Sequence, residues 1–224
     1  MAISDEPLAA PPGPADNSAT VQGKLVAPPA SGFGQLWRKE FSLLIPNGPD
    51  AVTLMKYWKE HLYELWPNLG HLYRASRNIR EGDLLGVDMG VGPAKLATGV
   101  VVADSGDTAL TLLSPQGHIF SGWTRLATED TEEGTVATVT IEMRASDPLY
   151  EAGLIVGGHT IEERFWSDML RTLCERFFPR PEVRLIRTRL DRRRQWRHLG
   201  NIRNNALIRT IARRLGRLAG LSAC

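Results

Sequence analysis

The chain has 224 residues, of which 42% are hydrophobic and 23% charged, the balance of a folded globular domain rather than of a disordered or membrane-spanning chain. Its formal charge of +2 hides an asymmetry: residues 179–224 hold thirteen Arg, no Lys and two acids, whereas residues 1–178 carry a net −9. Two cysteines, Cys174 and Cys224, exclude a disulfide scaffold, and neither stands in a zinc-ligand spacing.

Residues 1–34 form an Ala/Pro-rich arm that buries too little apolar surface to offset chain entropy, so disorder is expected there. The first turn of sequence has acids and prolines where a secretory leader needs a basic region and an apolar run, and no stretch reaches the 18 or so apolar residues of a span. A cytoplasmic protein, peripheral at the inner membrane face, is the expectation.

Residues 36–45 have strand composition and end at IPNGPD. Asp50 caps a helix in which Ala51, Met55, Trp58, Leu62 and Leu65 recur every three to four residues, and Pro67-Asn68 closes it. Residues 69–80 fit either a short helix or a loop. Strands then follow over 82–89, 95–103, 108–113, 118–128 and 135–145, separated by turn sequences. The last alternates cleanly, with Ala137, Val139, Ile141 and Met143 on one face and Thr138, Thr140, Glu142 and Arg144 on the other. Such alternation marks an antiparallel sheet with one wet face, where Glu142 and Arg144 read as a surface pair.

Gly157-Gly158 breaks the chain, and Thr160 with Glu163 matches a capping box. Ile161, Phe165, Met169, Leu173 and Phe177 then recur at steps of four, with Trp166 and Leu170 beside them, until Pro179. Beyond it, Asn201 caps an amphipathic helix expected over 202–219, so that 179–224 reads as an Arg-rich helical tail.

The order strand, helix, antiparallel strands, long helix resembles the helix-grip fold of START-like proteins, the group that includes Bet v 1-like allergens and polyketide cyclases. The segments GHIFSGWTRLATED, DPLYEAG and FWSDMLRTL carry the resemblance, which covers residues 35–178; GDLLGVDMGVGP and GHIFSGW are also similar to segments of a bacterial branch of unassigned function. The resemblance implies an α+β fold in which a curved antiparallel sheet wraps a long C-terminal helix, leaving a cavity for a hydrophobic small molecule such as a lipid or polyketide. Trp58, Leu62, Phe120, Trp123, Val139, Ile141, Met143, Phe165, Met169 and Leu173 would line it.

The alternative is a cyclase or aromatase-type enzyme using the same pocket. His118 is then the acid/base, because its unperturbed pKa lies near neutrality. Gly122 permits a bulge that carries Trp123 across the sheet. Asp88 precedes a turn, where Asp bonds backbone N–H groups. His61, Glu60 and Glu64 share a helix face, yet nothing completes a metal site there. No phosphate-binding loop, nucleophile elbow or cofactor motif is present, so no cofactor is expected.

Arg193, Arg194, Arg197, Arg203, Arg209, Arg213, Arg214 and Arg217 leave three readings open for the tail: docking on the protein's own acidic surface, contact with an anionic membrane, or binding of nucleic acid or an acidic protein. Only Trp196 offers a stacking aromatic, which argues against sequence-specific nucleic-acid reading.

Overall fold

The structure is a computed structural model and describes residues 20–21, 24–68, 70–73, 78–89, 96–178, 182–205 and 208. A two-residue ribbon pairs β1 (Thr20–Val21) with β2 (Lys24–Leu25). The body is an eight-stranded antiparallel sheet in the order β10-β3-β9-β8-β7-β6-β5-β4. Its strands are β3 (Leu36–Ile45), β4 (Gly70–Tyr73), β5 (Leu84–Met89), β6 (Leu96–Ser105), β7 (Ala109–Leu113), β8 (Phe120–Thr131), β9 (Gly134–Ala145) and β10 (Arg184–Asp191). Helices α1 (Ala51–His61) and α3 (His159–Cys174) pack on one face of it, and α2 (Pro148–Gly153) leads from β9 into α3. This is the α+β helix-grip arrangement that the resemblance implies.

Local chemistry explains most elements. The Asp50 carboxylate accepts the Thr53 N–H at 3.0 Å, capping α1 as expected. Strands β8 and β9 stay in unbroken register from Phe120↔Ala145 to Thr131↔Gly134, so no bulge forms at Gly122. Gly122 serves a different need: a Cβ there would lie 2.1 Å from the Glu142 carbonyl oxygen. Gly122→Ala is therefore expected to cost about 1–3 kcal/mol by overpacking, read as a lower urea midpoint at unchanged m.

The inner face of the sheet meets the helices through one apolar cluster. Phe41, Leu43, Ile45, Leu110, Leu126, Val139, Ile141 and Met143 pack there against Met55, Trp58, Leu62, Met169, Leu170 and Leu173. The undecided stretch 69–80 supplies β4, an edge strand on β5.

Three expectations are corrected. The capping box does not form: α3 starts at His159 directly after the kink at Val156-Gly157, Gly158 precedes it with no side-chain cap, and the Glu163 carboxylate is engaged by Lys39 and Arg187. The arm expected to be disordered over 1–34 is folded onto the domain at Val26 and Phe33, which are buried, Val26 packing with Val101, Leu113 and Trp123 on the outer face of the sheet, while residues 1–19 and 22–23 of it lie outside the described residues. Finally, residues 184–191 are not helical tail but strand, β10, zipped to β3 from Arg184↔Ser42 to Asp191↔Leu36. Alternation of Leu185, Arg187 and Arg189 on the inward side with exposed partners fits a pleated edge, and edge arginines suit a strand that faces water. Residues 196–204 form a 3-10 turn rather than an α-helix. Arg209, Arg213, Arg214 and Arg217, and the expected helix beyond residue 208, lie outside the described residues.

Candidate functional site

Alternation in β3 sends Trp37, Lys39, Phe41, Leu43 and Ile45 to the inner face. Lys39 is consequently fully buried beneath α3, at the end of the apolar cluster. Its ammonium meets the carboxylates of two successive α3 residues: it pairs with Glu162 and lies 2.9 Å from Glu163 Oε1. Arg187, opposite Lys39 on β10, donates to Glu163 Oε2 at 2.7 Å. His159, one turn earlier on α3, packs its ring on Trp37. Five ionisable groups thus converge where α3, β3 and β10 meet.

Burial dominates their chemistry. Desolvation pushes the Glu162 carboxyl up to about 7, against the pull of Lys39. Desolvation, reinforced by Lys39, lowers His159 to about 4. Glu162 Oε1 and His159 Nδ1 are buried without hydrogen-bond partners, as are the indole N–H groups of Trp58 and Trp66. The Trp166 indole approaches the Glu162 carboxylate without closing a bond on Oε1. Trp66 stands edge-on to Phe165 at 4.9 Å and to Trp166 at 6.3 Å, so a row of aromatics leads from α1 to the ionic cluster.

His159, Glu162 and Glu163 place potential ligand atoms within 4.8 Å of one another. The Lys39 ammonium already sits against both carboxylates, however, and supplies the positive charge a metal would bring. The donor set therefore fits an internal ion pair better than a cation site.

The residues expected to line a pocket divide. Trp58, Leu62, Val139, Ile141, Met143, Met169 and Leu173 belong to the inner cluster, with Phe120 and Phe165 packed on its margin. Helix and closing strand are in direct contact: Val139, Met143, Met169 and Leu173 are all at most 1% exposed. The space between them is filled by side chains. Trp123 is on the opposite, outer face, because β8 alternates without the bulge that would have turned it.

His118 also lies outside the helix–sheet interior. It precedes β8, where its Nδ1 accepts the Phe120 N–H at 3.1 Å, and burial lowers it to about 4, leaving a neutral imidazole bound to its own loop. It lines a polar cleft of about 150 Å³ with Ser121, Ser146, His198 and Asn201. That position removes it as the acid/base of an interior reaction.

Other assignments change partner. Glu142 pairs with Arg38 at 2.7 Å rather than with Arg144. Arg144 is buried under the N- and C-terminal segments, where it donates to the Gly34 carbonyl and to Asp191. Asp88 accepts the Tyr73 hydroxyl at 2.8 Å instead of a turn N–H. His61 pairs with Glu64 on the surface of α1.

Lys39 and Glu162 are the residues that sequence reasoning missed. The signal was present, since Lys39 shares parity with Phe41, Leu43 and Ile45, and Glu162 precedes Trp166 and Met169 at helical spacing.

No protein-family model matches the chain, and no curated protein does. Among solved structures it is similar to the di-domain ARO/CYC StfQ from the steffimycin biosynthetic pathway, with 13% identity over 64% of this chain and a TM-score of 0.47. The match spans 50% of StfQ. It is similar to ginseng major latex-like protein 151 from Panax ginseng (11% identity, 65% of this chain, 100% of that one, TM-score 0.45). It is also similar to protein Ms6760 from Mycobacterium smegmatis (12% identity, 64% and 91%, TM-score 0.46). The helix-grip outline rests on the chain's own element and strand order, and these likenesses are of chain path alone.

Proposed function

We propose that the interior between the sheet and α3 binds a hydrophobic small molecule that carries at least one oxygen acceptor. The observation that supports this is the set of buried, unpartnered indole N–H groups, Trp58 and Trp66, within an otherwise apolar cluster. Buried donors are almost always satisfied, and a carbonyl or hydroxyl oxygen of a guest would satisfy them. Because side chains fill the interior, a guest enters by displacing them. Met55, Met143 and Met169, three of the chain's five methionines, line the cluster and are the side chains that repack most readily.

Native mass spectrometry of the protein purified without denaturant tests the reading. The expected result is a bound species of small apolar mass, lost on organic extraction. In Trp66→Phe, which keeps an aromatic side chain and deletes the donor, occupancy at limiting ligand is expected to fall about fivefold. A protein that purifies empty and shows no thermal shift with lipids or polyphenols overturns it.

A second reading, an enzyme of cyclase type, is favoured by the raised pKa of Glu162, which suits a general acid/base near neutral pH. Glu162 takes the role first given to His118. If the extracted molecule is converted by the protein, Glu162→Gln is expected to abolish conversion while retaining binding, whereas His118→Ala leaves both intact. The exposed arginines of the C-terminal segment, Arg193, Arg197 and Arg203 among them, complete the proposal as a contact for an anionic surface at the inner membrane face.

A further inference from the structure

The helical run from Pro148 to Cys174 bends at Gly157, whose φ of 125° interrupts the helix. At this bend two large apolar side chains point away from the protein: Ile155 is 63% exposed and Val156 86%. Leu149 and Ile161, before and after them, are also exposed. On a helix that otherwise buries Leu154, Trp166, Met169 and Leu170, a bare Ile-Val pair at a glycine bend is an apolar tip without a partner in the fold.

The C-terminal segment comes to the same end of the molecule. Arg194 Nε donates to Glu151 Oε1 at 3.0 Å, one turn before Ile155, and Asn205 Nδ2 donates to Asp147 Oδ2 at 2.6 Å. These ties bring exposed Trp196 and Leu199 onto the surface next to α2. They also neutralise it. Asp147 is committed to Asn205 and to the Leu149 and Tyr150 N–H groups, Glu151 to Arg194, and Glu163 to Lys39 and Arg187. Against these engaged acids stand the exposed Arg192, Arg193, Arg197 and Arg203, and from Arg192 onward the sequence contains no acid at all.

From this juxtaposition we infer that the bend at Ile155-Val156 and the arginine segment beside it form one membrane-docking face for an anionic bilayer. Ile155 and Val156 enter the acyl boundary, Trp196 sits at headgroup level, and the arginines meet lipid phosphates and carboxylates. The inference rests on the reading of the arginines as a contact for an anionic surface, and adds its apolar half. A positively charged rim around an apolar tip complements a bilayer with anionic headgroups, in both charge and depth.

Vesicle co-sedimentation of the full chain tests it, using phosphatidylcholine alone and phosphatidylcholine mixed with phosphatidylserine. Three proteins are compared: the wild type, Ile155→Asp/Val156→Asp, and Arg193→Glu/Arg197→Glu. Both positions of the apolar variant are exposed, and thermal melting verifies that each variant is folded; Val156→Ser alone serves if the double variant melts early. The wild type is expected to sediment with the phosphatidylserine vesicles only. Each variant is expected to bind them about tenfold more weakly or worse, the arginine variant losing its sensitivity to salt as well. If the apolar variant binds like the wild type while the arginine variant does not, the charge contact stands and the tip is overturned. If the wild type sediments with neither vesicle, both readings fall, and a protein or nucleic-acid partner takes their place. Equal binding to both vesicles overturns the anionic specificity.

Discussion

Lys39→Met is expected to destabilise the protein by about 3–5 kcal/mol at pH 8, among the larger losses a single substitution can produce. The ammonium is fully buried and is the only cation against Glu162 among the described residues. Removing it leaves a carboxylate in an apolar interior, one of its oxygens already without a partner. Glu163 is less affected, because Arg187 holds its other oxygen at 2.7 Å. A buried carboxylate deprived of its partner takes up a proton rather than remain charged, so the cost is expected to shrink at pH 6. The double variant Lys39→Met/Glu162→Leu removes both charges and is expected to recover most of the loss, since an apolar pair of similar volume stands in well for a buried ion pair. Urea denaturation of the three proteins at the two pH values checks this. Equal stability of wild type and Lys39→Met at pH 8 would show that the ion pair does not hold α3 to β3.

The contrast between what the sequence foretells and what it hides is clearest in these same elements. Period-two alternation identified the inner face of β9 correctly, because Val139, Ile141 and Met143 are apolar and nothing competes with that pattern. The same alternation in β3 includes Lys39, and a lysine reads as solvated unless its partner is known; the partner is 123 residues away. On α3, steps of four from Ile161 gave a stripe rotated from the buried one. Ile161 faces solvent at the bend while Glu162 turns inward in helical step with Trp166, Met169 and Leu173; an acid on that stripe reads as solvated until the buried lysine opposite it is known. Trp123 is expected inward through a bulge at Gly122 and His118 through the chemistry of its side chain, yet the bulge is absent and Trp123 stays on the outer face of the sheet. Here the N-terminal segment at Val26 and the turn at Trp196–Asn204 cover that face, and a composition rich in Pro and Ala, or in Arg, gave no sign of it. Strand β10 was hidden for a related reason. Its arginines mimic an interaction tail, whereas the β3 edge offers the backbone partners that make a strand. Long-range pairing decides such segments, and local propensity does not.

Glu162 and His118 are expected to oppose each other in the pH dependence of stability. For Glu162 the folded pKa is raised, from 4.5 to about 7. Between these values the folded protein keeps a proton that the unfolded chain releases, so stability from this group is full below about pH 4.5 and is lost as pH rises through 7. For His118 the folded pKa is depressed, from 6.5 to about 4. Here the unfolded chain binds the proton first, so stability is full above pH 6.5 and is lost as pH falls toward 4. His159 acts in the same direction as His118, weakened by its partial exposure to solvent. Each fully buried group contributes a slope of about 1.4 kcal/mol per pH unit, of opposite sign. Across the shared window, pH 4.5 to 6.5, these two contributions nearly cancel. Deleting one of them exposes the other. His118→Gln is expected to lose stability, relative to wild type, as pH rises through that window, by about 2–3 kcal/mol in total. Glu162→Gln is expected to gain it over the same range and by a similar amount. Urea midpoints measured from pH 4.5 to 7 distinguish the cases, and two variants that run parallel to the wild type would mean that neither group titrates differently in the folded protein and the unfolded chain.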